Sequence, residues 1–376
     1  MKRVIFGGSF DPLTKAHEAM AIKLSEHFDE VIVVPAFISP FKLGEMDLSG
    51  EERLMLLSKA FERYPSIIVS DCEIRGEGTS FSYLTAQKFY KEGDSLYFAI
   101  GSDGLGSLDR WAKPEILSKL VTFFVVKRPF FSIKEDDLNK AKKIFNIEIA
   151  SFEGEEGSSS LLKVAVAFNR AEEIVPKFIA DYIKEKGLYK DYCEITDKYP
   201  ALKLKQSRIE HIYRTTKSAI LLAKQSNANI ELTVRASLLH DISKYLSDEE
   251  LLSLGVKLDE EVYALPPSCR HQITGARLAK ILFPNEDERV IRAIATHTTG
   301  ADNMDIYQKI IFTADYIEEG RNFDKVNEIR NTCYENLDKG IVAIFKNTIE
   351  YLTKSGSEIA PATIKAYNKI LKENIL

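Results

Sequence analysis

Beyond residue 190 the chain holds four histidines, His211, His240, His271 and His297, and all four fall into one ordered pattern with two carboxylates. Asp241 directly follows His240, and Asp315 closes the apolar run Ile310-Ile311-Phe312-Thr313-Ala314. Neutral imidazoles and carboxylates are ligands for first-row metals such as iron, manganese or zinc. An unpaired charge on an apolar run is costly, so Asp315 needs a partner. Successive helical residues point about 100° apart, so His240 and Asp241 can reach opposite sides of one metal, or two metals. A single histidine near an apolar face is usually a hydrogen-bonded core residue. Four histidines in one order with two carboxylates are poorly explained that way. The set His211, His240, Asp241, His271, His297 and Asp315 is enough for two adjacent metal ions.

The opposite end of the chain suggests different chemistry. A short apolar strand breaks into Gly7-Gly8-Ser9-Phe10-Asp11-Pro12, followed by Thr14-Lys15-Ala16-His17 at the start of a helical stretch. Glycines let backbone approach an anion closely, and the free N–H groups and dipole of a helix start favour negative charge. Thr14 and His17 lie three positions apart, on one side of a helix, where a hydroxyl and an imidazole could together hold a phosphate that gains charge in a transition state. The plainer alternative is a Gly-Gly turn with a surface histidine.

These groups need elements to position them. Arg3–Phe6, Glu30–Pro35, Ile67–Cys72, Ser95–Ile100, Thr122–Lys127 and Ile147–Ala150 read as short apolar strands. They alternate with helical stretches such as Ala16–His27 and Glu51–Tyr64, which predicts a mostly parallel sheet covered on both faces. An amphipathic helix over Val175–Tyr189 stops near Gly187, and the charged stretch before Pro200 reads as a linker over 191–200. From there the pattern is helical throughout, including Ser207–Gln225, Ile230–Tyr245, Gln272–Phe283, Asp287–His297, Asp305–Glu319 and one long helix over Asp324–Lys354. At 376 residues the chain has room for two domains, expected at 1–190 and 201–376. The net charge of −5 is shared by both halves and argues against a nucleic-acid surface. No apolar run approaches the roughly 18 residues needed to cross a bilayer, and the N-terminus lacks a signal-peptide core. Cys72, Cys193, Cys269 and Cys333 have no paired spacing, which fits a reducing cytoplasm. Oligomeric state is open, a homo-oligomer included.

The segment Gly7-Gly8-Ser9-Phe10-Asp11-Pro12-Leu13-Thr14-Lys15-Ala16-His17 resembles the signature loop of the nucleotidyltransferase superfamily. The ordered segments Pro35–Lys42, Glu52-Arg53-Leu54, Ser80–Thr85, Ile100–Asp103, Leu108–Trp111 and Val126–Pro129 extend the resemblance to the bacterial nicotinate-nucleotide adenylyltransferase family, over the whole first half. The resemblance implies a Rossmann-like α/β fold. It also implies transfer of AMP from ATP to nicotinate mononucleotide, giving deamido-NAD and pyrophosphate with Mg²⁺ on the phosphates. Such a reaction rests on positioning and charge neutralisation, with no protein nucleophile. By the same resemblance Thr14, His17 and Lys42 contact phosphates. Gly7, Gly8, Ser9, Phe10, Asp11, Tyr83, Thr85, Gly101, Asp103, Arg128, Ser159, Ser160 and Lys163 belong to the ATP and substrate sites. Trp111 either stacks near the nicotinate or is a core residue. Three positions depart from the family: Ala16 replaces a glycine, Thr14 is the rarer choice at its place, and Lys163 replaces an arginine, keeping the charge without the bidentate fork.

In the second half, Ser207–His211, Leu238–Lys244, His271–Ala276, His297–Gly300 and Lys309–Arg321 resemble the HD-domain phosphohydrolases. More closely, they resemble the bacterial symmetrical diadenosine tetraphosphate (Ap4A) hydrolases. That implies an all-α domain and two transition-metal ions, iron first with manganese or zinc as alternatives, since His271 and His297 add to the single-metal set. It further implies cleavage of Ap4A into two ADP by a water that the metals activate. Lys244 is then a phosphate contact beside the ligand Asp241, and Thr298, Thr299 and Gly300 a polar substrate loop. Arg321 reaches a distal phosphate or pairs with Glu318 or Glu319. The expected partners are the small nucleotides ATP, nicotinate mononucleotide and Ap4A, with no nucleic acid and no membrane. Alternatives are another phosphate ester as acceptor, another nucleotide for the hydrolase, or a first domain that binds nucleotide without turning it over.

Overall fold

In the computed structural model, residues 1–37, 46–76, 80–129, 133–155 and 157–374 are described. They form two compact units, one of residues 1–162 with 170–189 and the other of 163–169 with 190–376.

The first unit is built on six parallel strands: β1 (Lys2–Gly8), β2 (Glu30–Pro35), β3 (Ile67–Val69), β4 (Ser95–Gly101), β5 (Thr122–Lys127) and β6 (Ile147–Glu153). Their order in the sheet is β3-β2-β1-β4-β5-β6. Near-continuous apolar strands such as Val31–Val34 and Phe123–Val126 are what a sheet covered on both faces requires. The order reverses between β1 and β4, and in open α/β sheets ligands bind at the carboxyl ends of strands where such a reversal occurs. Gly7 and Gly8 end β1 and Gly101 ends β4, so the glycines expected to meet phosphate flank that crevice. The strands match expectation within two residues, except that β3 stops at Val69 and β6 runs on to Glu153.

Two charged residues hold the loop after β1. Arg53, buried on the helix Gly50–Phe61, donates from Nη1 to the carbonyls of Ser9 (2.7 Å) and Ala36 (2.6 Å). It thereby ties the ends of β1 and β2 together. Asp11 accepts from the amides of Asp47 (3.0 Å) and Leu48 (3.0 Å) and from the Tyr189 hydroxyl (2.7 Å). Gly187 caps the helix Lys177–Lys186 with φ 66°, where a glycine carries no Cβ penalty.

The second unit is helical among its described residues. Its main helices are Gln206–Gln225, Ile230–Leu239, Arg270–Leu282, Glu288–Thr296, Ile306–Ile317, Val326–Glu335, Leu337–Ser355 and Pro361–Asn374. Residues 191–200, expected as a linker, instead pack into this unit. Tyr192, Ile195 and Tyr199 are buried, and Tyr199 donates to the carbonyl of Leu238 (2.8 Å). The helix expected over Asp324–Lys354 is broken at Asn336, whose side chain accepts from the Lys339 amide (3.0 Å) and starts a new helix. The helix expected to run from Ile230 to Tyr245 ends at Leu239. There the His240 Nδ1 takes the carbonyl of Ser237 (2.6 Å), the acceptor that a continued helix would have given to Asp241.

Replacing Asp11 with alanine strands two amides and a hydroxyl. The first unit should lose about 2–4 kcal/mol, and Tyr189→Phe about 1 kcal/mol. Trp111 is the sole tryptophan and lies in this unit, so its fluorescence during urea unfolding reads the effect directly. An unchanged midpoint for Asp11→Ala would show that the three bonds hold nothing.

Candidate functional site

The first unit carries a small open cleft lined by Phe6, Ala16, His17, Gly101, Arg128 and Glu155, among others. Thr14 is the N-cap of the helix Lys15–Ser25 and accepts from the His17 amide (3.3 Å). The Thr14 amide in turn donates to His17 Nδ1 (3.2 Å), forming a capping box with histidine in the place usually held by an acid. Because Nδ1 accepts, the neutral ring carries its proton on Nε2. Phe10, held at φ 46°, is buried and packs edge-on to His17 with ring centres 5.3 Å apart. Gly101 leaves room for the ion pair of Asp103 Oδ1 with Arg128 Nε at 3.2 Å; a Cβ there would lie 2.4 Å from Asp103 and 2.6 Å from Arg128. The Ala16 methyl faces Gly157, where a Cβ would come within 2.7 Å of it. The chain thus accommodates the larger residue at position 16 with a glycine opposite.

Other expected residues have other tasks. Phe10 and Asp11 serve the loop's own packing and hydrogen bonding. Thr85 is buried and donates to Glu73. Tyr83 lies under the Lys113 ammonium, 4.7 Å from the ring centre. Trp111 is partly buried and packs edge-on to Phe98 (5.6 Å) and Phe123 (5.5 Å), with Nε1 buried. Ser159 and Ser160 open the helix Ser159–Ala167. Lys163 on that helix is paired with Asp191 at 2.6 Å within the second unit. Lys42 lies outside the described residues.

In the second unit all six expected ligands converge. His211 comes from the helix Gln206–Gln225 and His271 from Arg270–Leu282, while Asp315 comes from Ile306–Ile317. His240 and His297 are the C-caps of their helices, and each gives Nδ1–H to a carbonyl of its own last turn: His240 to Ser237 and His297 to Ile294 (2.8 Å). This fixes the tautomer that leaves the Nε2 lone pair facing inward, and the carbonyl ends of two helices add negative potential there. Two trios have their ligand atoms within 4.8 Å of one another: His211, His240, Asp315 and His240, Asp241, His297. His271 Nε2 stands 3.1 Å from His297 Nε2 and 3.2 Å from Asp241 Oδ1.

The electrostatics fit a cation. His240 Nε2 and Asp241 Oδ1 are buried without a hydrogen-bond partner, which is costly unless something else satisfies them. Burial pushes the Asp241 carboxyl up, but the histidines around it outweigh that and hold it well below the usual range. Asp315 is likewise held low, burial being outweighed by His211 and Arg321. Burial pulls His240 down and His271 down to about 4, so both rings are neutral, as ligands must be. His211 differs: burial pulls it down, but its bonds to Asp315 and Glu318 outweigh that and push it up, so it must release a proton to ligate. Two neutral imidazoles, two anionic carboxylates and orphaned lone pairs suit divalent metal.

Cations guard the carboxylates. Arg208 Nη1 donates to Asp241 Oδ2 (2.7 Å) and Arg321 Nη2 to Asp315 Oδ1 (2.8 Å). Lys244 Nζ lies 3.0 Å from His271 Nε2 and 4.0 Å from Asp241 Oδ1. Thr298 Oγ1 approaches His271 at 3.3 Å, but Thr299 is buried against Gln272 and Gly300 is buried under Phe345. The expected substrate loop is thus largely turned inward, because Gln272 accepts both threonine amides. Sequence reasoning missed the roles of Arg208 and Gln272. It also missed buried Glu318 as the partner of His211 Nδ1 (3.2 Å). The spacing of Arg208, three residues before His211 on one helix, was the available signal.

Arg208→Gln strands a buried carboxylate oxygen of Asp241. The metal-free chain should lose about 3 kcal/mol, most of it regained with Mn²⁺ present, as read by urea unfolding of the helical signal. Equal loss with and without the ion would contradict the placement of Asp241 in the metal cluster.

Residues 5–164 match the cytidylyltransferase-like family, and residues 208–320 match the HD domain. The chain is 36% identical to a protein of Aliarcobacter butzleri named probable nicotinate-nucleotide adenylyltransferase, over 195 residues that make up 51% of this chain and 97% of that one. It is 34% identical to a symmetrical bis(5'-nucleosyl)-tetraphosphatase of Halalkalibacterium halodurans, over 172 residues covering 45% and 92% of the two chains. A Mycoplasma genitalium protein named probable nicotinate-nucleotide adenylyltransferase/Ap4A hydrolase is 27% identical over 329 residues, 85% of this chain and 88% of that one. The chain therefore belongs through its first half to the nicotinate-nucleotide adenylyltransferase family, and through its second to the HD-domain family of symmetrical bis(5'-nucleosyl)-tetraphosphatases.

Proposed function

We propose that this chain is a bifunctional enzyme of nucleotide metabolism. Residues 1–190 transfer AMP from ATP to nicotinate mononucleotide, releasing pyrophosphate and forming deamido-NAD. Residues 201–376 hydrolyse Ap4A symmetrically to two ADP. The observation that carries the reading is the convergence of four imidazoles and two carboxylates with His240 Nε2 and Asp241 Oδ1 left unsatisfied.

At the first site no side chain need form a covalent intermediate. His17 offers Nε2–H to a phosphate that becomes more negative as pyrophosphate departs, and Thr14 fixes that ring by accepting and donating within the capping box. Arg128, half-exposed in the cleft, adds a positive charge. Mg²⁺ is the expected companion of the ATP phosphates.

At the second site, two divalent ions, with iron preferred over manganese or zinc, would be held by His211, His240, Asp241, His271, His297 and Asp315. When bound they supply an activated water and neutralise the attacked phosphoryl oxygens. The chain's own residues do the rest. Lys244 and Arg321 are partly exposed beside the ligands and meet flanking phosphates. Cap bonds to Ser237 and Ile294 keep two rings in the ligating tautomer. The four cysteines are unpaired and no helix among the described residues is long and apolar enough to cross a membrane, in keeping with action in the cytoplasm on free nucleotides.

A second reading has the first site bind nucleotide without turnover. The Lys163–Asp191 pair favours it, since a carboxylate there competes with phosphate for that charge. If the native chain made no deamido-NAD and Ala16→Gly with Lys163→Arg restored it, this reading would stand.

The purified chain should convert Ap4A to ADP alone and lose that activity with a chelator. His17→Ala should lower deamido-NAD formation about 10²–10⁴-fold without touching hydrolysis. Release of AMP and ATP from Ap4A, or hydrolysis indifferent to chelation, would sink the proposal for the second half.

A further inference from the structure

We propose that the two metal positions are unequal, and that Glu318 makes the one formed by His211, His240 and Asp315 the tighter, so that it fills first. This rests on the dinuclear reading above and concerns how the chain orients its own ligands.

The four histidines differ in what receives the nitrogen that does not ligate. A neutral imidazole binds metal well through one nitrogen when the other gives its proton to a fixed acceptor. A carboxylate acceptor also makes the ring more basic. His240 and His297 have backbone carbonyls. His211 alone has a carboxylate: Nδ1 lies 3.2 Å from Glu318 Oε1, while Nε2 lies 2.9 Å from Asp315 Oδ1. Glu318 follows Asp315 by three residues at the end of one helix, so a single element delivers both a ligand and the group that aims the neighbouring ligand. Glu318 is buried and fixed in turn. Its Oε2 accepts from Arg214 Nε (2.6 Å) and from the Gly320 amide (2.6 Å), and Arg321 Nε stands 3.9 Å from Oε1. Any Cβ at position 320 would lie 2.5 Å from the Arg214 guanidinium, so glycine there lets the arginine close on the carboxylate.

His271 is the opposite case. Among the described residues no carbonyl or carboxylate receives its Nδ1. The Lys244 ammonium instead faces both ring nitrogens, at 3.3 Å from Nδ1 and 3.0 Å from Nε2. An ammonium can only donate, so it does not select the ligating tautomer. His240 decides the order. It belongs to both candidate trios, but its Nε2 has one lone pair and serves one ion. With His211 and Asp315 it completes a position whose histidines are both pre-aimed. The other ion is left Asp241, His297 and the unaimed His271.

The test is a titration of the chelator-stripped full-length chain with Mn²⁺, reading free ion by electron paramagnetic resonance. Two steps separated by at least about tenfold are expected. Glu318→Gln should weaken the tighter step by about 10–100-fold and leave the weaker one in place. His271→Gln should do the reverse, removing the weaker step and sparing the tighter. If Glu318→Gln does not fold, the native curve and His271→Gln still decide. Two equal steps in the native chain, or loss of both steps alike in a folded Glu318→Gln, would overturn the inference while leaving a dinuclear site. Binding of no Mn²⁺ at all would overturn the dinuclear reading with it.

Discussion

The helical unit is organised around Asp241, a carboxylate almost wholly removed from water and ringed by histidines. Such a group is tolerable only if opposite charge surrounds it. Here one oxygen has Arg208, and the other has no hydrogen bond of its own. The five helix ends and faces that meet there follow from this need. Two helices stop at a histidine whose side chain takes the last carbonyl, turning Asp241 and Thr298 toward the cluster. The helix Ile306–Ile317 brings Asp315 out of an otherwise apolar face, and its end brings Glu318. A cluster so arranged leaves His240 Nε2 and Asp241 Oδ1 without hydrogen bonds, which is what a cation would satisfy.

The sheet-based unit solves a different problem with different means. Its cleft lies where strand order reverses, and beside it stand a glycine-ended strand, a helix start and one histidine of fixed tautomer. Buried Arg53 and Asp11 hold the loop that forms it, so charge is spent on shape as well as on binding. That division suits a transfer reaction that needs placement more than a nucleophile.

Much of this was legible in the sequence for physical reasons. Strands buried on both faces leave apolar runs bounded by polar turns, and all six were found near their true limits. The convergence of six candidate ligands was legible because four histidines and two acids in order are hard to place otherwise. What stayed hidden depended on three-dimensional partners. Glu318 and Glu319 look alike in sequence, yet one turns in to His211 and the other pairs with Lys217 outside. The charged stretch 191–200 read as a linker because its three buried residues are spaced among polar ones. Lys163 sits where a phosphate contact was expected, and only the fold brings Asp191 to it. The break at Asn336 was missed although asparagine favours caps over helix interiors, because apolar periodicity continues on both sides of it.

Elemental analysis of the chain, purified without chelators and reloaded with Fe²⁺ or Mn²⁺, tests the central claim most directly. Two ions per chain, falling to one or none in Asp241→Asn, is the predicted result. No more than a trace of metal in the reloaded native chain would contradict it, and the six converging side chains would then be a buried polar core rather than a catalytic centre.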